Sequence, residues 1–440
     1  MIRLALFAGV LLAASPARAD VGSPDAVGGI SSTSSPISPS SALAPISIVE
    51  GPGIKVGEGT VLHPIVGLET GFISNAFFED KSPVSAGILR LIVQVATASL
   101  GEDRLKPTDE EAEGQTSVGS LEYRAALRAS YDFYLSGNDN LQAQGGLGLG
   151  ALFRGTVFPR QTWSFLYLEN FERVIRATNF ESSDRTNRDV NRLQLGLQFA
   201  PIGRSLSGIL HFENVIDVFE DDQQQFANRM QNSLGVTVNW RFRPMTVFFG
   251  DATVGIFQGL GSESVKNDSY PLTVAAGVQT LLTLKTSIVA RVGYTNGFYS
   301  AGPSYSSVLG GLQLGYRYAP GGRITAMYEY LHQDSINANF YRDHALKLGV
   351  EQELMPFVVT GSSELRFREY HGVSTIVAGP DVRDDLIFAV SAGLRYNFRK
   401  TVGAVAEYRF STVQTDYMST AGDDPSFARH EVIVGVRAAL

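Results

Sequence analysis

The chain has 440 residues, no cysteine, a formal net charge of −8, 45 glycines, 10 % aromatic residues and 18 % charged residues. The missing cysteines exclude disulfide frameworks, thiol nucleophiles, thiolate metal sites and a lipid-modified N-terminal cysteine. The acidic balance gives no electrostatic basis for binding nucleic acid, and the low charge content falls below the ~25 % usual for soluble domains.

The N-terminus sets the compartment. "MIRLALFAGVLLAASPARA" carries Arg3, an apolar run from Leu4 to Ala14 and the small-residue site Ala17-Arg18-Ala19. This is the pattern of a secretory signal peptide over 1–19, and the run is too short for a helical membrane anchor. Cleavage after Ala19 leaves a more acidic mature chain. Residues 20–59 are rich in Ser, Pro, Ala and Gly and almost uncharged, as in "SPDAVGGISSTSSPISPSSALAPIS". They are expected to form a disordered periplasmic leader.

From residue 60 to 440 the pattern becomes alternating. Eighteen segments read as strands, from Val61–Ser74 and Ala86–Ala98 through Leu141–Phe153 and Asp189–Phe199 to Val402–Thr412 and Arg429–Ala438. Each is near the ~9–11 residues that a tilted strand needs to cross a bilayer, and no helical period stands out. "RLQLGLQF" (Arg192–Phe199) shows the pattern without a break. Its leucines occupy one face and Arg192, Gln194, Gly196 and Gln198 the other. A glycine-rich, aromatic-rich, charge-poor exported chain of this kind suits a closed antiparallel transmembrane β-barrel, all-β, of about 18 strands.

The connections alternate in length. Short ones such as Pro201–Ser205, Leu284–Thr286 and Ala319–Arg323 separate long polar ones such as Arg176–Asn187, Gly259–Pro271 and His371–Asp385. Transmembrane barrels sort their loops in this way, with short periplasmic turns and long extracellular loops. Two connections depart from the alternation: Ser99–Ser120 is long where a short turn is expected, and Ser136–Asn140 is short where a long loop is expected. Aromatic pairs sit at both strand ends on the apolar parity, with Trp240/Phe242, Tyr316/Tyr318 and Tyr396/Phe398 at one end and Tyr131/Phe133, Tyr328/Tyr330 and Tyr408/Phe410 at the other. That is the pattern of two interfacial girdles against outer-membrane lipid. An even strand count places both termini in the periplasm.

The opposite parity carries the charge. Arg90, Arg124, Arg128, Asp132, Arg192, Gln194, Gln198, Glu213, Asn239, Arg241 and Arg291 belong to it, as do Arg317, Glu329, Lys347, Glu351, Glu364, Arg366, Arg368, Arg395, Glu407, Arg409 and Arg437. An Arg or Lys facing lipid at mid-membrane costs ~2–4 kcal/mol, so these residues are expected to line the lumen. There they can brace the wall through salt bridges, or line a path for a polar or anionic glycan or small solute. The planar fork of arginine matches carboxylate, phosphate and sulfate.

Enzymatic readings find no support. The six histidines, His63, His211, His332, His344, His371 and His430, show no metal-ligand spacing. "GLGLG" (Gly146–Gly150) lies in a strand pattern with no helix after it, which is not the context of a phosphate loop. No catalytic, cofactor or metal site is expected.

The stretches "HPIVGLETGFISNAFFED" (His63–Asp80) and "RTNRDVNRLQLGLQFAPIG" (Arg185–Gly203) resemble the β-barrel porins of Gram-negative outer membranes. Within them, the chain looks like the Wzp-type barrels that accompany Wzx/Wzy-dependent polysaccharide export. The resemblance implies a conduit that passes a polysaccharide across the outer membrane together with a periplasmic export protein. A general or solute-specific diffusion porin is the alternative, and a structural or adhesive barrel is the third reading. The resemblance assigns no site residue.

Overall fold

A computed structural model describes residues 53–56, 60–99, 120–144, 146–159, 161–174, 187–201, 203–261, 264, 267–335, 338–373, 382–399, 401–417 and 425–440. The expected signal peptide, the leader up to residue 52 and the connection over 100–119 lie outside the described residues.

Alternation of apolar and polar residues produces strands almost throughout. They are β1 (Ile54–Val56), β2 (Thr60–Ile73), β3 (Ala86–Ser99), β4 (Leu121–Leu135), β5 (Gly146–Val157), β6 (Trp163–Val174) and β7 (Arg188–Phe199). Then follow β8 (Leu206–Phe219), β9 (Arg229–Arg243), β10 (Thr246–Gly259), β11 (Leu272–Thr283), β12 (Thr286–Asn296) and β13 (Ser306–Ala319). The last six are β14 (Gly322–Asp334), β15 (Phe340–Leu354), β16 (Phe357–His371), β17 (Val382–Arg399), β18 (Val402–Thr415) and β19 (Phe427–Ala439).

Strands β2 to β19 pair antiparallel with their chain neighbours, and β19 returns to β2 with Val434 opposite Thr70 and Val436 opposite Leu68. Eighteen strands thus close into a barrel with no free edge, which satisfies every ladder position without water. At the closing seam Gly71 leaves no room for a side chain, because a Cβ there would lie 2.2 Å from the Val432 carbonyl oxygen.

Two sequence expectations need correction. Part of the expected disordered leader, Ile54–Val56, is β1, which pairs with Thr60–Leu62 of β2. It extends the ladder past the end of β19, where Leu440 N–H reaches the Pro64 carbonyl. The expected strand Leu141–Phe153 begins instead at Gly146, because Asp139–Gln144 form a short helix, α1. The Asn138 side chain caps it by accepting from the Leu141 N–H at 3.1 Å. Leu141 then packs against Ile73, Ala76, Ala86 and Ile88 under the loop. The connection that looks too short for its end of the barrel therefore has ten residues, 136–145.

The two faces of each strand differ in exposure. Large apolar side chains on one parity, such as Leu68, Leu127, Leu197, Trp240, Val292 and Val434, are among the most exposed groups of the molecule. Only the interior of a closed barrel can hide the other parity, so the buried charged residues face inward. A continuous apolar outer band of this extent is stable against lipid and not against water. The aromatic pairs expected at the strand ends lie on this outer face.

Candidate functional site

The inner face holds two charged zones, which differ in burial. Towards the long-loop end, ion pairs run from strand to strand around much of the wall. Across the seam, Glu69 on β2 accepts from Arg90 at 3.2 Å and from Arg437 at 2.5 Å, and Arg90 also meets Asp132 at 2.7 Å. On β15 and β16, Asp343 holds Arg366 at 3.0 Å and Arg368 at 2.8 Å, and Arg366 also pairs with Glu364. Lys347 lies between Glu329 at 3.5 Å and Glu364 at 3.8 Å. The Arg368 guanidinium covers the Tyr341 ring at 3.7 Å. On β7 to β9, Asp217 bridges Arg188 at 3.0 Å and Arg229 at 2.9 Å. Below that bridge, Glu213 meets Arg192 at 3.6 Å and the Gln194 amide.

Further pairs fill the gaps: Arg128 with Glu172, Arg291 with Asp251, Arg383 with Asp385, Arg409 with Glu407 and Arg429 with Glu431. Arg90, Arg188, Arg229 and Arg368 are almost wholly buried. A buried charge is tolerated when it is paired and hydrogen-bonded, and alternating signs on neighbouring strands provide that.

The long-loop end is further tied by Asn339, whose side chain donates to the carbonyls of Ala301 at 3.0 Å and Pro303 at 2.9 Å and accepts from Asn267 at 2.8 Å. The Tyr299 hydroxyl donates to the Asp334 carboxylate. Burial, with the Asp334 charge beside it, pushes the phenol well above its ordinary value, so it remains a donor.

At the short-turn end the character changes. Arg124, Arg154, Arg241, Arg317, Arg323 and Arg395 face inward within five residues of the short-turn ends of their strands. The described carboxylates on those rungs are Glu122, Glu351 and Glu353, with Glu351 held by Arg323 at 2.7 Å. These groups are exposed or half-buried. Above them a cavity of 540 Å³ is lined by Arg323, Lys347, Glu351, Arg409 and the hydroxyls of Thr360 and Ser362, among others. It holds cations, carboxylates and neutral hydroxyls in one space, with Arg323 paired to Glu351 and Arg409 to Glu407.

All the expected lumen residues fall on the inner parity. The structure brings together Arg90 with Asp132, Arg192 with Gln194 and Glu213, Glu329 with Lys347, Glu364 with Arg366 and Arg368, and Glu407 with Arg409. Gln198, Asn239, Arg241, Arg317 and Arg395 lie apart from those clusters, towards the short turns. Sequence reasoning passed over Glu69, Glu172, Arg188, Arg229, Asp251, Asp343, Arg383, Asp385, Arg429 and Glu431. For most of them the signal was present in the inner parity of the strand, while Arg188, Arg229, Arg383 and Asp385 fall outside the strands expected from the sequence. Among the described residues no group of three or more His, Cys, Asp or Glu could hold a metal ion.

No protein-family profile matches the chain, and no curated protein matches it in sequence. Solved structures similar to it include a BenF-like porin from Pseudomonas fluorescens Pf-5, with 11 % identity, TM-score 0.49, 88 % of this chain and 100 % of that one. OccK2 (OpdF) of Pseudomonas aeruginosa has 11 % identity, TM-score 0.47, and 86 % and 98 % coverage. The siderophore receptor PirA of Pseudomonas aeruginosa has 8 % identity, TM-score 0.40, and 86 % and 80 % coverage. These are likenesses of fold. The expectation of a polysaccharide-export conduit working with a periplasmic partner is corrected here. The arginines near the long-loop end are buried and locked into ion pairs, so they do not present free guanidinium groups along a glycan path.

Proposed function

We propose that the chain is an outer-membrane diffusion porin for small polar anions, with both termini in the periplasm, residues 1–19 as its export signal and 60–440 as the barrel. The observation that carries the reading is the uneven wall of the lumen. The short-turn mouth presents more inward arginines than carboxylates in water-accessible positions, beside a cavity that mixes ion pairs with hydroxyls. Fixed charge of one sign in a low-dielectric channel concentrates counter-ions and sets ion preference. Arginine forks match carboxylates, and neighbouring Thr and Ser hydroxyls match hydroxylated solutes.

Liposome swelling tests the proposal. Refolded barrel should admit small hydroxylated carboxylates faster than neutral sugars of the same size, and those faster than cationic amino acids. Equal rates for all three would refute anion preference. The buried belt at the long-loop end favours a second reading, a closed structural barrel, for which no solute would enter.

A further inference from the structure

The lumen wall changes character on one side. One inner row runs through the register from Ser287 on β12, by way of Gly315, Thr325, Gly349 and Ser362, to Ser391 on β17. Six consecutive strands thus carry only glycine, serine or threonine at one level, and Arg409 on β18 ends the run. On β16 and β17 the next inner position towards the short turns pairs Thr360 with Gly393. On the other side of the row stand Lys347 and Glu364, whose side chains are long. Small residues in a row leave a recess in the wall, and the 540 Å³ cavity lies there. Its volume falls within the ~300–1,000 Å³ of small-molecule sites.

The floor of the recess is made of hydroxyls. Thr325 Oγ1 and Thr360 Oγ1 lie over the neighbouring glycines, where a Cβ on Gly349 or Gly393 would come within 2.7 and 2.5 Å of them. The Oγ atoms of Ser362 and Ser391 are 2.6 Å apart. Each cation of the cavity lining already has a carboxylate. Arg323 has Glu351 at 2.7 Å, Arg409 has Glu407 at 2.8 Å, and Lys347 lies between Glu329 and Glu364. A bound anion would therefore meet carboxylates together with the cations. An uncharged solute with many hydroxyls meets no such conflict, since it can donate to the carboxylate and accept from the guanidinium of the same pair. Met327 adds an apolar contact for the C–H face of a sugar ring.

We propose that this recess binds an uncharged sugar, through the hydroxyls of Thr325, Thr360, Ser362 and Ser391 and the ion pairs Arg323–Glu351 and Arg409–Glu407. The mouth sorts solutes by charge, and the recess holds them by their hydroxyls. The inference rests on the lumen admitting small solutes, as proposed above, and not on the anion preference of the mouth.

Titration of the refolded barrel in detergent, followed by saturation-transfer NMR, tests it. Glucose and gluconate serve as probes, since they share a carbon skeleton and differ in charge. Glucose should bind saturably and roughly fivefold more tightly than gluconate. Ser362→Gln/Ser391→Gln, which fills the recess, should weaken glucose binding roughly tenfold or more. Should that variant fail to fold, Thr325→Val/Thr360→Val removes two hydroxyls at almost constant shape and should weaken it roughly fivefold. The readout is equilibrium binding, so it separates from the test of conduction. An anion-selective barrel without saturable glucose binding would refute the recess alone, and saturable binding in a barrel that prefers potassium would refute the anion path alone. No saturation with glucose, equal affinity for gluconate, or glucose binding unchanged in the folded variants would overturn the proposal.

Discussion

Replacing Asp217 by Asn is expected to destabilise the barrel severely. Asp217 is fully buried and is the shared carboxylate of Arg188 and Arg229, whose side chains are 1 % and 0 % exposed. The amide keeps the shape and removes the charge, leaving two guanidinium groups facing one another in the inner wall. Hydrogen bonds to a charged group contribute ~1.5–3 kcal/mol each, and two are weakened at 3.0 and 2.9 Å. Breaking a buried pair by removing one partner typically costs ~3–5 kcal/mol, so both routes converge on about 3–5 kcal/mol. At ~1.4 kcal/mol per tenfold change, the folding equilibrium falls by roughly two to nearly four orders of magnitude. Urea unfolding in lipid vesicles, followed by the fluorescence of the outward-facing Trp163 and Trp240, reads the loss. The exposed Asp222→Asn serves as the control. Replacing all three members together, as Arg188→Met/Asp217→Leu/Arg229→Met, should recover most of the stability, since no charge is then left buried. A loss below about 1 kcal/mol for Asp217→Asn would show that water screens the two arginines and would refute the account of the belt.

Further outcomes follow from other places in the wall. Gly71→Val should abolish the heat-resistant band on gels, because its Cβ would collide with the Val432 carbonyl at the seam. Leu141→Ala should cost about 2–4 kcal/mol by opening a hole under the loop, and Asn138→Ala about 1 kcal/mol by uncapping α1. Both are readable by urea unfolding. Asn339→Ala should leave barrel stability nearly unchanged yet speed proteolysis within residues 297–305, since the two carbonyls it holds lie in that loop.

The fold was legible because a two-residue period repeats through nearly every strand and a closed barrel needs no other instruction. Where α1 interrupts it, the alternation of Leu141 with its neighbours is a coincidence of composition, and the cap at Asn138 is the stronger local signal. The inner parity was readable residue by residue, while the partnerships on it were not. Arg437 and Glu69 are 368 positions apart and meet only because the barrel closes. Strand ends account for several omissions: β9 starts at Arg229, and β17 starts at Val382, inside the long connection His371–Asp385 expected from the sequence. Arg229, Arg383 and Asp385 thus look like loop residues in the sequence, although they stand in the ladder. Arg192, Arg241 and Arg366 look equivalent in the sequence. The structure separates them, since Arg192 and Arg366 are buried in ion pairs and Arg241 is half-exposed near the short-turn mouth.

The most direct test is the reversal potential of the refolded barrel in a planar bilayer under a tenfold gradient of potassium chloride, at low ionic strength so that wall charges are not screened. A sign showing preference for chloride is expected, and Arg241→Glu/Arg317→Glu/Arg395→Glu should move it towards potassium. A closed barrel without conductance, or one selective for potassium and unmoved by those substitutions, would contradict the reading of the lumen as an anion path.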